Sequence, residues 1–89
     1  MKNSLLTTLK GQNILITGAA GRIGSSIAKA ALSADANVII SDFLLKCLNS
    51  LYLELSNKYK DRVNSIHADA CTDNGIEELL EKALAIKSR

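Results

Sequence analysis

The chain has little of what usually advertises a macromolecular partner. Aromatic residues make up 3% of it and tryptophan is absent, so it offers no platform on which bases could stack. Its formal net charge is +2, carried by scattered basic residues. That field is too weak to select nucleic acid or an anionic membrane surface. No apolar run approaches the roughly 18 residues that cross a bilayer, and residues 1–10 hold no apolar core of signal-peptide length. The two cysteines, Cys47 and Cys71, lie too far apart for a C-x-x-C pair and have no histidine cluster near them. They read as free thiols in a reducing compartment, and the expected location is cytoplasmic. His67 is the single histidine; it has no partner for chemistry and reads as a structural residue at a strand end. The carboxylates show no metal-ligand spacing. Repeats, linkers and low-complexity segments are missing too.

What is present is one small alternating pattern. Eighty-nine residues suffice for a single domain, one that buries only about 60–65% of its unfolded surface. The hydrophobic share is 47% and the charged share 22%, which is ordinary for a globular chain and argues against disorder. Lys10-Gly11-Gln12 reads as a turn before a first strand, Asn13 to Thr17, centred on Ile14-Leu15-Ile16. That strand feeds Gly18-Ala19-Ala20-Gly21-Arg22-Ile23-Gly24 and a helix from about Gly21 to Ser33.

A strand, a glycine turn and a helix N-terminus in that order make a phosphate cradle. Gly18 lets the chain leave the strand in a conformation that a Cβ penalises. Gly21 removes a side chain where a pyrophosphate must approach, and Gly24 lets the helix lie close against the strands. The N–H groups of Arg22, Ile23 and Gly24 would then face the phosphates.

Further along, the spacing predicts alternating strands and helices. The first helix presents Ile23, Ile27 and Ala31 as its buried stripe, with small residues Gly24, Ala28 and Ala31 favouring close packing. Ser33-Ala34-Asp35-Ala36 closes it without the glycine that helix ends prefer. A second strand, Asn37 to Ser41, has the continuous apolar run of a parallel strand covered on both faces. A second helix from about Leu44 to Tyr59 buries Leu44, Leu48, Leu51, Leu55 and Tyr59, with Tyr52 beside them. Lys58, Lys60, Asp61 and Arg62 read as a solvated turn. A third strand spans about Val63 to Ala68, diluted by Asn64, Ser65 and His67. The last helix, Asn74 to about Ile86, buries Ile76, Leu79, Leu80, Ala83 and Leu84. Its first turn holds Glu77 and Glu78 and its end Lys87 and Arg89, as the dipole prefers.

Crossovers of this length imply right-handed parallel connections, and the expected sheet order is 3-2-1, one mononucleotide-binding half of a doubly wound fold. Asp42 ends the second strand 18 positions after Gly24, where an acidic residue hydrogen-bonds an adenosine ribose. It also stands where it could cap the next helix. Its carboxylate would repel a 2′-phosphate, at up to about 4 kcal/mol for like charges ~4 Å apart at an effective dielectric of 20. Phe43, not an arginine, follows it. NAD is therefore favoured over NADP, with Arg22 the one cation in the loop that argues the other way.

The string TGAAGRIG after Ile14-Leu15-Ile16 resembles the fingerprint of the short-chain dehydrogenase/reductase family. Its glycines follow the TGxxGxxG spacing of the extended branch, which holds many nucleotide-sugar epimerases, not the TGxxxGxG of the short branch. Some short-branch members share the shifted glycine, so the branch stays open. The resemblance implies that Asp69 and Ala70 contact adenine, in place of the family's Asp-Val. It also implies hydride transfer between a nicotinamide and a hydroxyl or carbonyl carbon. The family's Tyr-x-x-x-Lys pair has no match: Ser56 stands four residues after Tyr52, and Val63 four after Tyr59. The short branch's Asn-Asn-Ala-Gly segment is missing as well. The expectation is thus a partial Rossmann unit, βαβαβα, that stops before a fourth strand and is inactive alone. The alternatives are a fragment of an extended-branch epimerase or dehydratase and a non-catalytic nucleotide-binding fragment. With nothing beyond its first strand, such a sheet calls for a second copy, a separately encoded remainder or a missing part of the same chain.

Overall fold

Three short strands lie side by side and in parallel, in the computed structural model of this chain. The structure describes residues 9–87, so the readings of residues 1–8 and of Arg89 lie outside the described residues. Strand β1 (Asn13–Thr17) leads into helix α1 (Arg22–Ser33). Strand β2 (Asn37–Asp42) leads into α2 (Leu45–Tyr59) and a single 3-10 turn, Lys60–Arg62. Strand β3 (Val63–His67) leads into α3 (Asp73–Lys87). The sheet order is β1-β2-β3, the expected 3-2-1 arrangement. Thr17 lies opposite Ser41, and Asp42 opposite His67, so all three strands end along one edge. Among the described residues no helix is long and apolar enough to cross a membrane.

Alternation along each strand splits the core in two. Ile16, Val38, Ile40 and Val63 face Ala28, Ala31 and Leu32 of α1 and Leu48, Leu51 and Leu55 of α2. Ile39 and Ile66 face Leu79 of α3, with Leu15, Ala83 and Ile86 packed around them. Each large side chain so buried contributes about 1.5–3 kcal/mol.

The expected helix faces need correction. Ile23 is 75% and Ile27 51% exposed; the inner face of α1 keeps the expected Ala31 and the small Ala28 and adds Leu32 in place of the two isoleucines. The cause lies at the first turn. A Cβ on Gly24 would strike the Gly18 carbonyl and lie 2.9 Å from the Ala19 Cα, so α1 sits on the loop through Gly24. Position 28 then follows it inward at i+4. Leu44 caps α2 and is exposed. In α3 the stripe has rotated likewise: Leu79, Ala83 and Ile86 pack inward, while Ile76, Leu80 and Leu84 are exposed. The first turn of α3 carries Asp73, since the helix starts earlier than Asn74 and leaves Glu77 and Glu78 further along.

Two features of the connections were not in the pattern. Helix α1 ends in a Schellman motif, with the N–H of Asp35 on the Leu32 carbonyl and that of Ala36 on the Ala31 carbonyl. Asp35 takes the left-handed position (φ 73°) that glycine usually fills. Arg62, read as solvated, is half-buried. Its guanidinium donates to the carbonyls of Ala36 (2.8 Å) and Leu32 (3.1 Å) and lies over the Tyr59 ring. A cation at a helix C-terminus satisfies orphan carbonyls there.

Candidate functional site

The site is built where β1 and β2 end. Gly18 turns the chain at φ 64°, a conformation that needs the missing Cβ. Three hydrogen bonds fold the loop that follows. The N–H of Gly21 donates to the Gly18 carbonyl (3.2 Å), that of Ala19 to the Ser41 carbonyl (3.0 Å), and that of Ala20 to Asp42 Oδ2 (3.1 Å). Ala19 is wholly buried and plugs the loop onto the sheet.

Gly21 is the N-cap of α1 in extended conformation, and no side chain caps the helix. The first-turn amides of Arg22, Ile23 and Gly24 are therefore left for something else to satisfy. A Cβ on Gly21 would meet only the Gly18 carbonyl, at the ordinary distance of 3.5 Å. The protein itself does not demand glycine at that position; the open space beside it is where a ligand's approach would. Arg22 is exposed, and among the described residues its guanidinium has no protein partner.

Asp42 is half-buried and works on both sides. Besides Ala20, its Oδ1 accepts from the Leu44 N–H (3.1 Å), closing a turn before α2. A carboxylate has about four acceptor sites, so two bonds leave room for hydroxyl donors. The backbone around it is pinned from β3. Ala68 N–H donates to the Asp42 carbonyl (3.3 Å), and His67 Nε2 donates to the Phe43 carbonyl (2.9 Å). His67 thus holds a neighbouring loop, which accounts for it structurally.

The third side of the site follows β3. Asp69 is exposed, and its Oδ1 accepts from the Cys71 N–H (2.9 Å). Thr72 caps α3, its Oγ1 accepting from the Gly75 N–H (2.9 Å) while donating to the Asp69 carbonyl (3.3 Å). Gly75 escaped the sequence reading. A Cβ there would collide with the Asp69 carbonyl, so its glycine lets the Asp69–Thr72 turn fold onto α3. A glycine in the first turn of a helix is the signal that could have found it, because helices pay for it with about 1 kcal/mol.

These pieces enclose a cleft of about 320 Å³ lined by Thr17, Gly18, Asp42, Phe43, Asp69 and Cys71, among others. Size alone does not select it. Shallow grooves of about 450 Å³ and 440 Å³ lie beside His67 and Lys82 and beside Lys10 and Arg62. Of these three, the cleft alone joins a glycine turn and two carboxylates at the carboxyl ends of parallel strands, where open α/β sheets bind ligands. Of the eight residues singled out in the sequence, Gly18, Asp42, Asp69 and Ala70 line it directly. Gly21, Arg22, Ile23 and Gly24 stand at the adjoining start of α1. Among the described residues no cluster of histidine, cysteine or acidic groups could hold a metal ion. Cys47 and Cys71 are both free and exposed.

Known proteins share this fold. A model of the short chain dehydrogenase family matches residues 12–88. A short chain dehydrogenase/reductase of Macrophomina phaseolina is 34% identical over 79 residues, covering 89% of this chain and 45% of that protein. The crystal structure of a short chain dehydrogenase from Mycobacterium smegmatis superposes with a TM-score of 0.85 at 31% identity, over 93% of this chain and 34% of that one. The Pseudomonas aeruginosa RhlG/NADP active-site complex does so with a TM-score of 0.83 at 28% identity, over 94% and 32%. The chain thus spans less than half the length of each of these relatives. With the strand order, the glycine turn and a match over residues 12–88, the chain belongs to the short chain dehydrogenase family.

Proposed function

We propose that this chain is the dinucleotide-binding part of a short-chain dehydrogenase/reductase and that it prefers NAD to NADP. The observation that carries this is the convergence of the glycine loop, Asp42 and Asp69 on one cleft. In this reading the amides of Arg22, Ile23 and Gly24 hold the pyrophosphate, helped by the Gly18 and Gly21 turn and the free Arg22 guanidinium. Asp42 accepts from the ribose hydroxyls, and Asp69 with Ala70 takes the adenine. A bound dinucleotide supplies hydride transfer to or from a carbonyl or hydroxyl carbon.

The family accommodates the extra phosphate, as the Pseudomonas aeruginosa complex with NADP illustrates. The choice in this chain falls on Asp42, a half-buried carboxylate with both oxygens facing backbone amides. An anion so placed disfavours a second anion beside it. The proton relay of the family, Tyr-x-x-x-Lys, has no counterpart among the 89 residues. We assign it, with the substrate and the nicotinamide half of the site, to sequence outside this chain. The match to short chain dehydrogenases over residues 12–88 weighs against the epimerase alternative, which rests on the glycine spacing alone.

The two cysteines provide the test. Cys71 lines the cleft and Cys47 lies on α2, outside it. ADP-ribose or NAD should slow alkylation of Cys71 and leave Cys47 unaffected, and should shift the amides of Gly18 to Gly24. Equal alkylation at both thiols and unmoved loop amides at saturating ligand would sink the reading.

A further inference from the structure

The glycine loop has three anchors, and they differ in kind. The Gly21–Gly18 bond is internal to the loop, and the Ala19–Ser41 bond is backbone to backbone, so neither depends on a side chain. The third, from the Ala20 N–H to Asp42 Oδ2, crosses 22 residues of sequence and is made by one. Asp42 is itself held from three sides. Leu44 N–H fixes its other oxygen, Ala68 N–H fixes its carbonyl, and His67 pins the next carbonyl along. We infer that Asp42 is a positioning residue for the phosphate loop, acting through the Ala20 amide, besides any contact it makes with a ribose.

This rests on the dinucleotide reading and sharpens it. Plain electrostatics makes the opposite prediction for an anion. Removing the Asp42 charge should strengthen pyrophosphate binding, because like charges repel. If Asp42 organises the loop, its removal should weaken pyrophosphate binding even though pyrophosphate has no ribose to contact. Asparagine separates the two effects further. Its single carbonyl oxygen keeps an acceptor for Ala20 while the charge is gone, whereas alanine loses both.

The experiment titrates inorganic pyrophosphate, and separately ADP-ribose, into the full chain and its D42A and D42N variants. Amide shifts of Gly18 to Gly24 report binding, and the hydrogen exchange of Ala20 reports the anchor. Unchanged amides in β3 and α3 certify the fold. D42A should bind pyrophosphate at least threefold more weakly than the unaltered chain and lose Ala20 protection, and D42N should recover part of both. Pyrophosphate bound equally or more tightly by D42A, or a D42N chain no better than D42A, overturns the inference while leaving ADP-ribose binding intact. Loop amides of the unaltered chain that ignore pyrophosphate but follow ADP-ribose overturn it equally. Loop amides that ignore both ligands overturn the dinucleotide reading itself.

Discussion

Replacing Gly24 with alanine sets two well-known effects against each other. Alanine is the better helix former by about 1 kcal/mol, so a substitution that met no obstacle would stabilise α1. The obstacle here is backbone. The new Cβ would lie 2.9 Å from the Ala19 Cα and closer still to the Gly18 carbonyl, where contacts of about 3.5–4.0 Å are favourable. No rotamer change relieves that, so α1 must lift from the loop by several tenths of an ångström. Overpacking of this kind costs about 1–3 kcal/mol, which leaves a net loss of about 0–2 kcal/mol after the helix gain. The larger effect falls on binding, because the same shift carries the amides of Arg22, Ile23 and Gly24 away from the Gly18 turn. We expect at least a tenfold loss of ADP-ribose affinity, about 1.4 kcal/mol. Urea unfolding and Cys71 protection measure the two quantities. A Gly24→Ala chain that gains about 1 kcal/mol, as propensity alone requires, and binds as before would refute the close approach.

Four further outcomes follow from the same structure. Asp42→Ala should lose charge-assisted ribose bonds of about 1.5–3 kcal/mol and narrow the NAD-over-NADP preference, read by competitive titration; an unaltered chain that binds NADP more tightly makes Arg22 a 2′-phosphate ligand instead. Asp35→Gly should raise stability by up to about 1 kcal/mol, since it removes a left-handed non-glycine residue at φ 73°; a loss in the unfolding midpoint contradicts this. The Ser33 hydroxyl, with Lys58 and Arg62 nearby, holds Tyr59 below the ordinary value of 10.0. In a Tyr52→Phe background, absorbance should place its titration below that of free tyrosine, and Ser33→Ala should move it back up. The sign for stability follows: this contribution is full above the unfolded tyrosine's pKa and fades as pH falls through the folded one. Finally, among the described residues β1 has a neighbouring strand on one side only, and Ile23 and Ile27 lie exposed on α1. Light scattering should show concentration-dependent association that a co-expressed downstream segment suppresses; a stable monomer at high concentration, or NAD reduction by the chain alone, argues against a partial unit.

Much of the fold is legible because it is local. The runs Ile14-Leu15-Ile16 and Val38-Ile39-Ile40 are too short for helices and too apolar for anything but covered strands. Helices between them force parallel, right-handed crossovers, and the glycine turn after the first strand points to the 3-2-1 order of a mononucleotide-binding half. The glycine turn and Asp42 are legible for the same reason, since their spacing belongs to one βαβ unit.

Only the tertiary structure decided which helix faces turn inward and what holds the loop. In α1, residues 23 and 24 differ by about 100° around the axis, and periodicity alone favours the larger Ile23 and Ile27. Contact of Gly24 with Gly18 and Ala19 overrides that preference. Arg62 escaped for a related reason, as a charged residue in a turn looks solvated until two distant carbonyls, of Leu32 and Ala36, arrive beside it. The Ala20 amide carries no side-chain signature at all. Its role exists only because β1 and β2 end in register and bring Asp42 within 3.1 Å of it. Sequence determines the local chemistry of each segment; which groups meet across 22 or 30 residues depends on packing.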